Sequence, residues 1–149
     1  MRAVIQRVKG SKVSVDEKFV GTIKRGILIF LGVEKEDKEE DADYLVSKAI
    51  HLRIFEDKDG KMNLSLKGVN GEVLVISQFT LLGDCRKGRR PSFTDAAESD
   101  KARELYEYFV SQMESYDISV ATGEFQAKMD VHIVNNGPVT LLLDSRKRF

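Results

Sequence analysis

The first third of the chain reads as strand: β-branched and apolar residues fall at 3–8, 12–15, 19–23 and 27–33, punctuated by Gly10, Gly21 and Gly26. Short segments of this composition separated by glycine form strands rather than helices, and such close succession predicts several antiparallel pairings. A sheet of this kind has to cover one face with something else. An acidic stretch at 34–43 leads into a helix whose Ala42, Leu45, Val46, Ala49 and Ile50 recur at three- and four-residue spacing, so one helical face can pack on the sheet.

Further strands are expected at 52–56, 61–66 and 72–76, with Asp57-Lys58-Asp59-Gly60 as the turn between the first two. A second helix, which Ser99 can cap, carries Ala102, Leu105, Tyr106, Phe109, Val110 and Met113 on one stripe and runs to about Glu114. The tail returns to strand at 118–121, 127–134 and 139–143, the last two joined through Asn135-Asn136-Gly137-Pro138. With 149 residues, two Pro and no repeat or low-complexity stretch, the expectation is a single domain spanning 1–149. Its fold class is α/β: three layers of mainly antiparallel, barrel-like strands with two main helices on one face.

Composition removes several function classes. Lys plus Arg and Asp plus Glu are both 24, so no general attraction to a polyanion exists and any nucleic-acid contact has to be local. One cysteine, Cys85, cannot form an intramolecular disulfide, and the longest apolar run, 27–31, is far short of the roughly 20 residues that span a bilayer. No apolar leader follows Met1, and a cytoplasmic location with no membrane role is expected. Metal spacing and the glycine fingerprints of nucleotide sites are absent, so neither metal nor cofactor is expected.

The chemistry-bearing candidates are few. In Val73-Leu74-Val75-Ile76-Ser77-Gln78-Phe79-Thr80-Leu81 an apolar strand acquires three hydrogen-bonding side chains. If the backbone stays extended, Gln78 and Thr80 share one face and Ser77 and Phe79 the other. A solvated strand edge explains the same pattern. Of the two histidines, His51 ends the first helix, where the dipole favours an imidazolium, and His132 alternates with Asp130 on a polar strand face. Neither looks like a catalytic base, and Cys85, between Asp84 and Arg86, lacks a histidine partner. Arg86-Lys87-Gly88-Arg89-Arg90 precedes Pro91-Ser92-Phe93, a loop able to hold phosphate with an aromatic face beside it; an ordinary solvated loop is the alternative. The terminal Arg146-Lys147-Arg148 reads as a charged end. Gly137-Pro138 is either a plain hairpin turn or a cis-proline turn, since only X-Pro bonds adopt cis at a cost of about 0.5–1 kcal/mol.

Taken together, Ser77-Gln78-Phe79-Thr80-Leu81 and Asn136-Gly137-Pro138-Val139-Thr140 resemble the two signature motifs of the D-aminoacyl-tRNA deacylases. Met1-Arg2-Ala3-Val4-Ile5-Gln6-Arg7-Val8 and Lys87-Gly88-Arg89-Arg90-Pro91-Ser92-Phe93 resemble that family too, in the expected order. The resemblance implies its fold and an ester hydrolase that frees D-amino acids from tRNA as chiral proofreading in translation, and that also acts on glycyl-tRNA mischarged on tRNA(Ala). It implies a homodimer with composite sites, in which Gly137 and Pro138 of one chain exclude L side chains from the other chain's pocket. Arg7 would brace the dipeptide and Met129 pack beside it, with Arg90 and Phe93 near the tRNA 3′ end. Ser77, Gln78, Phe79 and Thr80 would line the opposite wall. A same-fold editing enzyme of relaxed chirality and a non-catalytic RNA-binding module are the competing readings.

Overall fold

The computed structural model describes all residues, 1–149. β1 (Arg2–Val15) turns into β2 (Lys18–Ile23), which is followed by β3 (Gly26–Gly32). β1 lies between β8 (Asp130–Asp144) on one edge and β2 plus β3 on the other: Arg2 pairs with both Gly32 and Asp144, and Ser11 with both Ile23 and Ile133. β2 and β3 together therefore form one long return strand beside β1. The segments expected at 3–8 and 12–15 are one strand, because Gly10 continues the ladder opposite Val134.

Helix α1 (Glu39–His51) follows β3, then a small antiparallel pair, β4 (Phe55–Glu56) and β5 (Met62–Leu64), around the anticipated Asp57–Gly60 turn. Asp57 fastens that turn by accepting the Asp59 and Lys61 amides. β6 (Glu72–Ser77) pairs with β3, and β7 (Val120–Thr122) with β6, both in parallel. The three pairings of β1 are antiparallel. The sheet order is β2-β1-β3-β6-β7 with β8 beside β1, and β2 curls back until Gly21 meets β7. A Cβ on Gly21 would lie 2.4 Å from the Thr122 carbonyl oxygen, so glycine is what lets the barrel nearly close.

Two cores follow from strand alternation. Ile27, Ile29, Leu31, Val73 and Val75 face α1 and α2 (Ser99–Glu114), whereas Leu28, Leu74 and Ile76 face the barrel interior with Val8, Val13 and Ile23. Burial on both faces is why β3 and β6 read as nearly unbroken apolar runs. All five predicted apolar positions of α1 are buried, as are Leu105, Tyr106, Phe109 and Met113 of α2. Glu98, not Ser99, precedes the first turn of α2, and no side chain caps it.

Of the two readings of Asn135–Pro138, the plain hairpin is absent. β8 runs straight through, and its register with β1 passes from Gln6↔Thr140 to Val8↔Asn135, so four residues of β8 oppose Arg7 alone. The segment bulges out of a continuous ladder. Sequence alone could not separate these cases, since both need the ladder to stop at a proline.

The terminal arginines are not a loose charged end either. Arg146 and Arg148 reach Glu34, Arg146 also approaches Asp37, and Arg148 lies 2.7 Å from Asp144. Burial pushes the Asp144 carboxyl up, but hydrogen bonds from the Arg148 side chain and the Arg146 amide outweigh it and hold the group below its ordinary value. A lowered carboxyl stabilises the fold fully above its unfolded value of about 4 and loses that contribution as pH falls through the lower folded value. Asp144→Asn should therefore cost about 3 kcal/mol near neutrality. The gap between variant and wild type should close in acid, as measured by thermal unfolding against pH.

Candidate active site

The carboxyl ends of the parallel strands β3 and β6 open into a cavity of about 530 Å³. Parallel strands present their ligand sites at that end because the chain leaves the sheet there. Leu31, Val33, Ile76, Met129 and Val131 form its apolar floor, and Ser77, Gln78, Ser99 and Gln126 supply its polar side chains. No charged side chain lines it. A Cβ on Gly123 would lie 2.4 Å from Met129 Sδ and 3.1 Å from Ile76 Cδ1, so glycine leaves Met129 its place in the wall.

The strand expected at 72–76 ends at Ser77; the backbone does not stay extended beyond it, and Phe79–Leu82 is a 3-10 turn. The Gln78 amide donates to the Leu31 carbonyl at 2.7 Å and ends the β3–β6 ladder. Alternation then fails, and Ser77, Gln78 and Phe79 all face the one cavity rather than opposite faces. The Gln78 side-chain amide donates to Thr80 Oγ1. Phe79 and Thr80 begin the turn, whose first amides have no carbonyl behind them within the turn, and no side chain caps it.

The Gly137-Pro138 bond is cis. Arg7, 3% exposed, holds the bulge: Nε donates to the Asn136 carbonyl at 3.1 Å, Nη1 to the Ile54 carbonyl at 2.5 Å, and Nη2 sits 3.6 Å from Glu56. Gly137 and Pro138 are themselves exposed and do not line the cavity of their own chain.

The family model described as D-Tyr-tRNA(Tyr) deacylase matches residues 4–144. The chain belongs to this family. It is 62% identical over 149 residues to a protein named D-aminoacyl-tRNA deacylase from Thermotoga petrophila, and 56% identical over 149 residues to one of the same name from Clostridioides difficile, each covering 100% of both chains. A solved structure titled c-Myc DNA Unwinding Element Binding Protein superposes with a TM-score of 0.91 at 37% identity, covering 97% of this chain and 98% of that one. A second, titled a probable eukaryotic D-amino acid tRNA deacylase, has a TM-score of 0.81 at 20% identity over 96% and 98%, and shows the shared fold.

Within the frame of the deacylase family, the anticipated residues fall into two groups. Ser77, Gln78, Phe79 and Met129 meet around the cavity, and Thr80 joins them through Gln78. Gly137, Pro138 and Arg7 form a separate group on the bulge. Phe93 links the basic loop to the first group, its ring packing edge-on against Phe79 at 5.1 Å. That loop is pinned where Asp84 and Ser92 exchange backbone hydrogen bonds at 2.7 and 3.0 Å. Arg86 is paired within the loop: its Nε, Nη2 and amide donate to Asp84, whose carboxyl they hold well below the usual range. Lys87, Arg89 and Arg90 carry no ion pair. His51 bonds the Ser47 carbonyl at the end of α1 and His132 packs on Phe19, both away from the cavity. Sequence reasoning missed the far wall, built by Phe125, Gln126 and Ala127 with Ser99. Its one available signal was an aromatic residue beside Gly123 in the gap between two strands.

Proposed function

We propose that this chain hydrolyses the ester bond of D-aminoacyl-tRNA to free D-amino acid and tRNA, by orientation and main-chain hydrogen bonding rather than by a side-chain nucleophile. The observation that carries this reading is an uncharged cavity edged by turn amides, with no titratable base in it. Such a cavity suits the neutral terminal adenosine, which would bring the ester to Phe79 and Thr80. Water adds to the ester carbonyl carbon, the amides of Phe79 and Thr80 donate to the oxyanion, and the ribose 3′-oxygen leaves as an alcohol. The vicinal 2′-hydroxyl of the substrate relays the proton that no side chain is placed to carry. Lys87, Arg89 and Arg90 would meet the phosphates behind the terminal nucleotide, with Phe93 beside them.

Thr80 is a poor nucleophile without a base, and the side-chain hydrogen bond its hydroxyl makes is accepted from the Gln78 amide nitrogen, which cannot take its proton. Thr80→Ala should keep deacylation within about tenfold of wild type, against the roughly 10²–10⁴-fold that a proton-transfer role would cost. Complete loss with substrate binding intact makes Thr80 the nucleophile and overturns this mechanism.

Chirality is assigned to Gly137 and Pro138, whose main-chain carbonyls would close the pocket to an L side chain while glycine, with nothing to exclude, is also hydrolysed from mischarged tRNA(Ala). Because these residues lie outside their own cavity, the reading requires a second copy to deliver them, hence a homodimer with composite sites. Sedimentation equilibrium should give the mass of two chains, and a fully active monomer would contradict the composite site. Purified protein should hydrolyse D-tyrosyl-tRNA at more than about 100 times the kcat/KM of L-tyrosyl-tRNA. Equal rates, or no hydrolysis of either, would remove the proposed function.

A further inference from the structure

The far wall of the cavity is the segment 123–128, which bridges β7 and β8 without belonging to the sheet. Its ties to the sheet are thin: the Gly123 amide reaches the Val75 carbonyl at 3.4 Å, and the Ala127 amide bonds only within the segment, to Glu124. Gln126 adopts φ +68°, a left-handed conformation that a non-glycine residue keeps only when its surroundings hold it there.

What holds it is α2. The Gln126 side-chain amide donates to Ser99 Oγ in the first turn of the helix. One turn further on, the Arg103 guanidinium lies over the Phe125 ring, 4.7 Å from its centroid. Tyr106, three residues beyond Arg103 and so on the same side of the helix, packs against Phe125 at 5.8 Å. The Tyr106 hydroxyl donates to the Val75 carbonyl at 2.8 Å, two residues before Ser77. Burial, reinforced by Glu107, pushes this phenol up, so it stays a donor. Arg103 itself is exposed and makes no ion pair, so contact with Phe125 is its one structural engagement.

We propose that Arg103 is a positioning residue for the cavity: its guanidinium, stacked on Phe125, clamps the 123–128 segment against α2 and so sets the width of the pocket that receives the terminal nucleoside of the substrate. This rests on the proposed deacylase reading of the same cavity. The guanidinium stays outside the pocket and acts through the ring it covers. The Gln126–Ser99 bond is the second half of the clamp, one turn nearer the helix start.

The test uses two substrates, D-tyrosyl-tRNA and the minimal ester 3′-O-(D-tyrosyl)adenosine, with wild type, Arg103→Ala and Arg103→Lys. Arg103→Ala should raise KM by about two- to fivefold for both substrates, the scale of an exposed cation–π contact, with kcat and Tm unchanged. Arg103→Lys keeps a cation over the ring and should restore most of the loss. A KM increase confined to the tRNA substrate makes Arg103 a phosphate contact and overturns the clamp. No change in KM, or a loss of rate that tracks a fall in Tm, overturns it as well. Failure of the wild type to hydrolyse either ester would count against the deacylase reading itself, which separates the two claims.

Discussion

The architecture turns on one buried cation. Arg7 points into the wider of the two places where the β1–β8 register breaks, and a guanidinium buried to this degree is tolerated only when its donors are matched. It finds two backbone carbonyls and a carboxylate, from Asn136, Ile54 and Glu56. Those partners belong to two stretches, 54–56 and the β8 bulge, that are remote in sequence from Arg7 and from each other. The same side chain therefore sets how far β8 bulges, where the end of α1 leads into β4, and how the two segments lie against β1. One carbonyl that the bulge takes out of the ladder, that of Asn136, is paired by Arg7, so bulge and cation support each other.

The curvature of the sheet has a second consequence at the opposite end of the strands. β2 closing over β7 fills the barrel interior with Val8, Val13, Ile23, Leu28, Leu74 and Ile76, and leaves no room there for a ligand. Space appears only where β3 and β6 run out. Their ladder ends with the Gln78 amide on Leu31, and the chain then has to turn, which frees amides and brings consecutive side chains to one side. The cavity is thus a by-product of ending two parallel strands at the same level, with α2 and the 123–128 segment closing it laterally.

Helices were legible in the sequence because amphipathic periodicity survives in one dimension: five apolar positions of α1 were read and five are buried. The strands were legible as segments but not as partners. Nothing in Gly26–Gly32 or Glu72–Ser77 signals that these two pair in parallel, since both are simply apolar on both faces. The Asn-Asn-Gly-Pro stretch illustrates the limit sharply. A hairpin and a bulge both need residues that abandon the ladder, and only the partner strand, more than a hundred residues earlier, decides between them. Ser99 looked like a cap because it precedes a helix, yet its hydroxyl is taken by Gln126 from a segment that carried no motif. Arg146 and Arg148 looked like a charged end because Glu34 and Asp37 lie far away along the chain. In each case the missing information was a long-range partner. Ser77, Gln78, Phe79 and Met129 came from the family resemblance rather than from local pattern, and they meet around one cavity.

Discrimination between mirror-image substrates, as proposed for this site, poses a physical constraint of its own. A D- and an L-aminoacyl ester carry the same atoms, so attraction to any one group cannot tell them apart, and selectivity comes either from several contacts made together or from excluding one arrangement, the route proposed here. Exclusion requires a surface that does not yield. Side chains swing between rotamers at a cost of order 1 kcal/mol, whereas the backbone of a bulge tied at Asn136 to a buried arginine cannot retreat without breaking that hydrogen bond. On the proposed reading, this rigidity is what the buried Arg7 supplies to function as well as to fold. The same reading separates the two proposed jobs in space: the cavity of one chain would hold an uncharged nucleoside and a labile ester, and the bulge of a second copy would inspect the substituents at the amino acid's Cα. A site divided this way judges handedness without needing to recognise which side chain the amino acid bears.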